Sequence, residues 1–411
     1  MTAPDPAPHP VGSTRHLTRW LIAFVVLAEC VLVARIVTTG FGADNDTYLM
    51  LGTWDRLIHH GTYSPSRFQG SPLAELSIGA LSEAGGHWLS AAMSIVLAAL
   101  AVLSLFDLAK RRLGSRSDAA LLAAILALTP VFLVAASTSH DYIYGLALFL
   151  AGWNAQERGH DQRLVALILG MATLGRFSYV PLGAVVLLAG PPSRGRRERA
   201  TSTAVYAIVI AVGYLPAYLS ADGSFNIFTA DRPTGQGLVG LVGRAVVKPT
   251  LLFGVVGMAL LAVVIVMALV RGRATGSGMS GERWLLVMIA ITVAMWVWIP
   301  VEASYLLPTL AIVLVWLARV EVVRVVRPVL LVWLVTLVSL AWIEPHVFRF
   351  TYAQSDDPCP ADEATDYSFS PHVTRGQLLS YPSLIVDNLP CNELRRAGQG
   401  GALPSPSLEG G

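Results

Sequence analysis

Apolar stretches long enough to cross a bilayer recur along the chain, and they limit its possible folds more than any other feature. A membrane-spanning helix needs about 20 mostly apolar residues, and residues 20–39 form the first such stretch. Only 14% of the 411 residues are charged, whereas soluble domains carry about a quarter. The sequence therefore predicts an all-α, polytopic membrane protein. A net charge of +2 and the lack of a P-loop or a GxGxxG fingerprint give no support to nucleic-acid binding or ATP hydrolysis.

The arginines and lysines between the apolar stretches predict the topology. Cytoplasmic loops are enriched in basic residues, and Arg15 and Arg19 precede the first stretch. We expect a cytoplasmic N-terminal tail (residues 1–19), a transmembrane domain (20–343) of about eleven helices, and a small extracytoplasmic C-terminal region (344–411). The predicted helices cover residues 20–39, 88–108, 118–136, 143–155, two short arms within 163–190, 200–219, 249–270, 284–299, 305–317 and 328–343.

One apolar stretch, residues 163–190, has basic residues on both flanks. Because a single span cannot begin and end on the same side of the membrane, we expect two short helices that turn back near Arg176. An unpaired cation at that depth is costly. The alternative is one long helix in which Arg176 is paired inside the bundle.

Four polar segments are predicted to meet on the outer face. The outer loop, residues 40–88, begins with Asp44 and Asp46 and carries two predicted interfacial helices. The other polar residues lie between Arg67 and Glu75 in the same loop, at His140 and Asp141, and at Glu302 and Tyr305.

The motifs in these segments resemble those of the GT-C glycosyltransferases, which include protein O-mannosyltransferases and lipid A aminoarabinose transferases. Asp44-Asn45-Asp46-Thr47-Tyr48 looks like their first-loop Asp-x-x-x-Tyr pattern. The stretch from Arg67 to Pro72 looks like a following Arg-x-x-Gly-x-Pro motif, and the stretch from Glu302 to Pro308 is similar to a late Glu-x-Arg-Tyr-Leu-Leu-Pro element. Ser304 departs from the arginine that relatives often carry there.

The resemblance implies sugar transfer from a polyprenyl-phosphate donor to a hydroxyl group, with inversion and with Asp44 as the general base. A base of this kind removes the acceptor proton, and cations stabilise the leaving phosphate. The expected acceptor- or donor-binding residues are Asp46, Tyr48, Arg67, Glu75, Arg176, Lys248, Glu302 and Tyr305. Three of these have a second interpretation. Arg67 would then contact lipid headgroups, Glu75 would have a structural partner, and Tyr305 would belong to the interfacial aromatic belt.

Two further sites are expected. His140 and Asp141 are candidates for binding a divalent cation, Mg²⁺ or Mn²⁺, together with Asp44, although Asp141 equally suits a helix cap. Cys359 and Cys391 are candidates for a disulfide if the C-terminal region is extracytoplasmic.

Two other function classes remain open at this point. One is a lipid or solute transporter, or flippase, in which Glu29 and Arg176 line the pathway. The other is a non-catalytic subunit of an envelope assembly complex. The sugar is open among mannose, arabinose and other lipid-linked sugars, and the acceptor among protein, glycolipid and polysaccharide.

Overall fold

The structure is a computed structural model, and it describes a large part of the chain. The described residues are 19, 23, 25–27, 30, 45–67, 69–137, 139–189, 195–220, 238–274, 283–299, 303–319, 323–342, 346–350 and 371–375. Several predictions concern residues outside this set, namely Asp44, Glu302, Cys359, Cys391 and most of the first predicted helix, 20–39. Tyr48 and Lys248 are described only as backbone positions in helices.

The described residues form twelve α-helices, two short 3₁₀ helices and one two-stranded antiparallel ribbon. The helices are α1 (Asn45–His60), α2 (Pro72–Leu113), α3 (Arg116–Ala127), α4 (Pro130–Ser137), α5 (Asp141–Glu157), α6 (Gln162–Gly175), α7 (Val180–Leu188), α8 (Arg196–Ser220), α9 (Leu238–Ala274), α10 (Arg283–Trp298), α11 (Leu307–Arg319) and α12 (Val323–Trp342). The 3₁₀ helices are Phe177–Tyr179 and Ala303–Leu306, and the strands are β1 (His346–Phe350) and β2 (Pro371–Arg375).

The apolar helices make this an all-α membrane protein, apart from the C-terminal ribbon. Among the described residues, Pro72–Leu113 and Arg197–Ser220 are long and apolar enough to cross a membrane, and the bent pair α3–α4 is a third candidate span. Five further apolar helices are shorter, with 10–17 residues. The number of spans, about eleven in the prediction, is therefore not confirmed by the described helices.

One predicted helix break is confirmed, and one predicted continuous helix was wrong. The second interfacial helix and the following span are separated, as predicted, by a kink within α2, where Gly85 and Gly86 leave the helical conformation. The single helix predicted at 118–136 is instead broken into α3 and α4, which meet at a bend of 72°. The break precedes Pro130, which begins α4; proline lacks the backbone N–H that a continuing helix needs.

The predicted break at Arg176 is confirmed. Arg176 has an extended backbone, with φ −163° and ψ 124°, between α6 and the 3₁₀ turn that leads into α7. Both arms run beside α5. Near the start of α5, a Cβ on Gly145 would contact Tyr179 and Arg176. Near its end, Gln156 donates a hydrogen bond to the Val186 carbonyl. Because α7 thus runs parallel to α5 while α6 runs back along it, the two arms form a hairpin with Arg176 at its apex.

Helix α5 lies at the centre of the bundle. Thirteen of its 17 residues are buried, which is typical of a helix that neighbours enclose on all sides. Its small residues admit close approach: a Cβ on Gly175 of α6 would lie 3.0 Å from the backbone nitrogen of Gly145. The aromatic rings of Phe149, Trp153 and Tyr179 fill the adjacent core. The first residue of this central helix, Asp141, is consequently held deep in the protein.

Candidate active site

The candidate site is built around the carboxylate of Asp141, whose side chain is 1% exposed. Asp141 is the first residue of α5, where the helix dipole favours a negative charge. Ser71 donates a hydrogen bond of 3.0 Å to its Oδ2, and His140 Nδ1 lies 3.0 Å from its Oδ1. A buried carboxylate is stable only with such polar and charged partners, and the strongest partners are two arginines.

Arg176 is the closer of these arginines. Its Nη1 donates to both oxygens of Asp141, at 2.7 and 2.8 Å. Its guanidinium also lies over the rings of Tyr142 and Tyr305, at 3.7 and 4.6 Å from their centroids. The hairpin apex thus brings a cation to a carboxylate and two aromatic rings, an arrangement that holds the guanidinium in one orientation.

Arg67 connects Asp141 to the outer loop. Its Nη2 binds Asp46 and lies 3.6 Å from Asp141 Oδ1. Burial alone would lower the pKa of Arg67, but the carboxylates of Asp141 and Asp46 raise it well above its ordinary value. Arg67 is therefore a permanent cation between two anions. The hydroxyl of Thr47, next to Asp46, donates to the Ser139 carbonyl at 3.0 Å, which joins the start of α1 to the turn before Asp141.

Glu75 holds the loop that carries Arg67. Its carboxylate accepts hydrogen bonds from the Tyr63 hydroxyl, from the backbone and hydroxyl groups of Ser66, and from the backbone N–H of Ser71. Burial and the neighbouring Glu75 carboxylate raise the pKa of Tyr63 well above its ordinary value, so this phenol remains a donor. The contacts of Glu75 are thus those of a clamp across residues 63–71.

Asp141, one residue of the predicted cation site, already has charged partners. Both of its oxygens accept from Arg176, and Arg67 lies near one of them. A divalent cation at this carboxylate would share it with two fixed positive charges, which is unfavourable. Within the described residues, no group of three His, Cys, Asp or Glu side chains is placed to hold a metal ion. Among the described residues the charge of Asp141 is thus balanced by arginine, and the cation site, which also includes Asp44, stays a prediction.

The structure brings six of the predicted site residues into one cluster. These are Asp46, Arg67, His140, Asp141, Arg176 and Tyr305. Glu75 lies one contact away, through Ser71. Two members, Ser71 and Tyr142, were missed by sequence reasoning. Ser71 lies inside the motif read from Arg67 to Pro72, and Tyr142 follows Asp141 directly, so proximity to the motifs was the available signal.

The fold of the chain is similar to that of solved structures. The chain is similar to the crystal structure of ArnT from Cupriavidus metallidurans bound to undecaprenyl phosphate, with a TM-score of 0.54 and 17% sequence identity over 79% of this chain and 64% of that protein. The chain has the GT-C fold. The apo structure of ArnT matches with a TM-score of 0.51 and 17% identity, over 75% of this chain and 60% of ArnT.

The GT-C resemblance seen in the sequence is thus confirmed at the level of the fold. The chain matches less than two thirds of the length of ArnT. No protein-family model matches the sequence, and no curated protein matches it either.

Proposed function

We propose that this chain is an inverting glycosyltransferase that moves a sugar from a polyprenyl-phosphate donor to a hydroxyl acceptor on the extracytoplasmic face. The observation that carries the proposal is the buried cluster of two arginines and two aspartates, drawn from α1, the outer loop, α5 and the hairpin. The fold adds support, because one ArnT structure with this fold holds undecaprenyl phosphate.

In this proposal the arginines stabilise the leaving phosphate. Charge develops on the leaving phosphate as its bond to the sugar breaks, and fixed cations in a water-poor site stabilise that charge. Arg176 is held by Asp141 and two rings, whereas Arg67 contacts the more exposed Asp46. Arg67 is therefore the phosphate ligand, and Arg176 keeps Asp141 in place. Tyr48, Lys248, Glu302 and Tyr305 complete the proposed binding set.

Asp44 is the proposed general base. It precedes Asp46 by two residues, and Asp46 belongs to the cluster. Asp44 removes the acceptor proton, and the acceptor oxygen attacks the anomeric carbon from the side opposite the phosphate. The bond between the sugar and the phosphate oxygen breaks, so the configuration inverts and polyprenyl phosphate leaves with the bonding electrons.

The proposed orientation rests on where the basic residues lie. At the far end of α5 from Asp141, Arg112 pairs with Glu157 at 2.6 Å, and Arg158 pairs with Asp107. The two ends are about 24 Å apart, from 16 residues at 1.5 Å each. Since basic residues mark the cytoplasmic side, the cluster faces the extracytoplasmic side. For the ends of the chain we propose the orientation that the basic loops predict, with a cytoplasmic N-terminus and an extracytoplasmic C-terminal region.

A panel of radiolabelled polyprenyl-phosphate sugars, presented to the full chain in proteoliposomes with glycolipid, polysaccharide and peptide acceptors, tests the proposal. We expect label to pass from one donor to one acceptor class, and NMR of the product to show the inverted anomeric configuration. Retention would contradict the mechanism. Absence of transfer from every donor by folded protein would contradict the enzyme class and favour a transporter or a non-catalytic subunit.

A further inference from the structure

Arg67 lies between two carboxylates that differ in how firmly they are held. Asp141 is 1% exposed and is also bound by Arg176 and Ser71. Asp46 is 18% exposed and lies in the first turn of α1. Of the two anions at Arg67, Asp46 is therefore the one that an incoming anion can replace without breaking the centre of the cluster.

A carboxylate and a phosphate offer an arginine the same kind of hydrogen-bond acceptor. A guanidinium group offers a planar set of N–H donors that matches carboxylate and phosphate oxygens alike. The contact between Arg67 Nη2 and Asp46 Oδ2 is a charge-assisted hydrogen bond. A phosphate that approaches this edge of the guanidinium meets the Asp46 carboxylate, and placing the two anions side by side is unfavourable.

We propose that Asp46 is a built-in competitor of the donor phosphate: it occupies Arg67 in the free protein and is displaced when the phosphate binds. This inference rests on the proposed function, because it takes polyprenyl phosphate as the ligand. Asp46 keeps a buried arginine paired between turnovers, since an uncompensated buried charge is costly. The same contact weakens donor binding, so it also favours release of the polyprenyl phosphate product.

The test is the binding of decaprenyl phosphate to the full chain in nanodiscs. Asp46→Asn keeps the size of the side chain but removes the competing charge, and we expect affinity to rise about tenfold, the effect of losing one charge-assisted hydrogen bond from the free state. Asp55→Asn is the matched control. It removes a carboxylate from the same helix, where Asp55 is exposed and 3.5 Å from His59, and should leave affinity unchanged.

A second comparison separates direct competition from a general change in charge. In an Arg67→Gln background, adding Asp46→Asn should have no effect on affinity, because the contested donor is gone. Asp46→Ser should increase affinity in the same way as Asp46→Asn, and melting temperatures identify any variant that fails to fold. Decaprenol, which lacks the phosphate, should bind wild type and Asp46→Asn equally.

The outcomes distinguish the two proposals. If wild type binds decaprenyl phosphate and the Asp46 variants bind it equally or more weakly, the competitor role is wrong while the proposed donor class stands. If affinity rises equally in the presence and absence of Arg67, the gain is not due to competition at that residue and the inference also fails. If neither wild type nor any folded variant binds the lipid, the proposed function and this inference fail together.

Discussion

Replacing Asp141 by asparagine should destabilise the protein far more than removing the exposed carboxylate of Asp55. The carboxylate accepts two hydrogen bonds from Arg176 and one from Ser71, and Arg67 lies 3.6 Å away. Asparagine keeps the shape but removes the charge. Two arginines, with side chains 12% and 11% exposed, would then lack their central counter-ion.

The magnitude follows from the cost of an uncompensated buried charge. Removing one partner of a buried ion pair costs about 3–5 kcal/mol. The partial exposure of both guanidinium groups and the remaining Asp46 contact favour the lower half of that range. By contrast, Asp55→Asn removes an exposed carboxylate from α1, whose contact with His59 is worth less than about 1 kcal/mol.

Equilibrium unfolding in mixed micelles, followed by circular dichroism, measures both variants against wild type. We expect a loss of about 3 kcal/mol for Asp141→Asn and almost none for Asp55→Asn. Adding Arg176→Met to Asp141→Asn removes one uncompensated cation and should restore part of the stability. If Asp141→Asn costs no more than Asp55→Asn, the cluster is not a buried ion network.

Four smaller predictions accompany this one. Gly145→Ala would place a Cβ 2.5 Å from a buried tyrosine ring and should cost about 1–3 kcal/mol in the same unfolding assay, whereas Gly195→Ala, which faces open space, should be nearly neutral. Tyr63→Phe removes one donor from the clamp and should cost about 1 kcal/mol; an unchanged stability would contradict the clamp. Arg176→Lys loses the planar stacking between two rings and should weaken donor turnover even in folded protein, and wild-type rates would contradict its positioning role. Chelation by EDTA should leave transfer intact, because arginines already neutralise Asp141; a loss that Mg²⁺ or Mn²⁺ restores would support the cation site expected from the sequence.

The architecture could be predicted from the sequence where one physical rule dominated. Apolar length located most helices, and the basic residues on both flanks of 163–190 required a chain reversal, which the structure shows at Arg176. The break at Gly85–Gly86 falls between the second predicted interfacial helix and the span predicted at 88–108, whereas the break before Pro130 was missed. Proline does signal a break, but Pro130 lies within an apolar run that reads as continuous.

The candidate site could be predicted as a set of segments but not as a network. The motifs identified Asp46 and Arg67. Asp141 was identified from a polar turn and Arg176 from the predicted chain reversal, whereas the pairing of all four depends on how α5 packs against the hairpin and the outer loop. Glu75 is the clearest example of a role that the sequence could not predict. Its place in a motif suggested a binding role, and only the folded loop shows that its oxygens accept from Tyr63, Ser66 and Ser71.

The rate of sugar transfer by wild type, Asp44→Asn and Asp55→Asn, measured in the same proteoliposomes with the donor selected from the panel, tests the central claim most directly. General-base catalysis contributes about 10²- to 10⁴-fold. We therefore predict that Asp44→Asn lowers the turnover rate by at least about a hundredfold while Asp55→Asn keeps the wild-type rate. Equal turnover by all three proteins would contradict the assignment of Asp44 as the catalytic base.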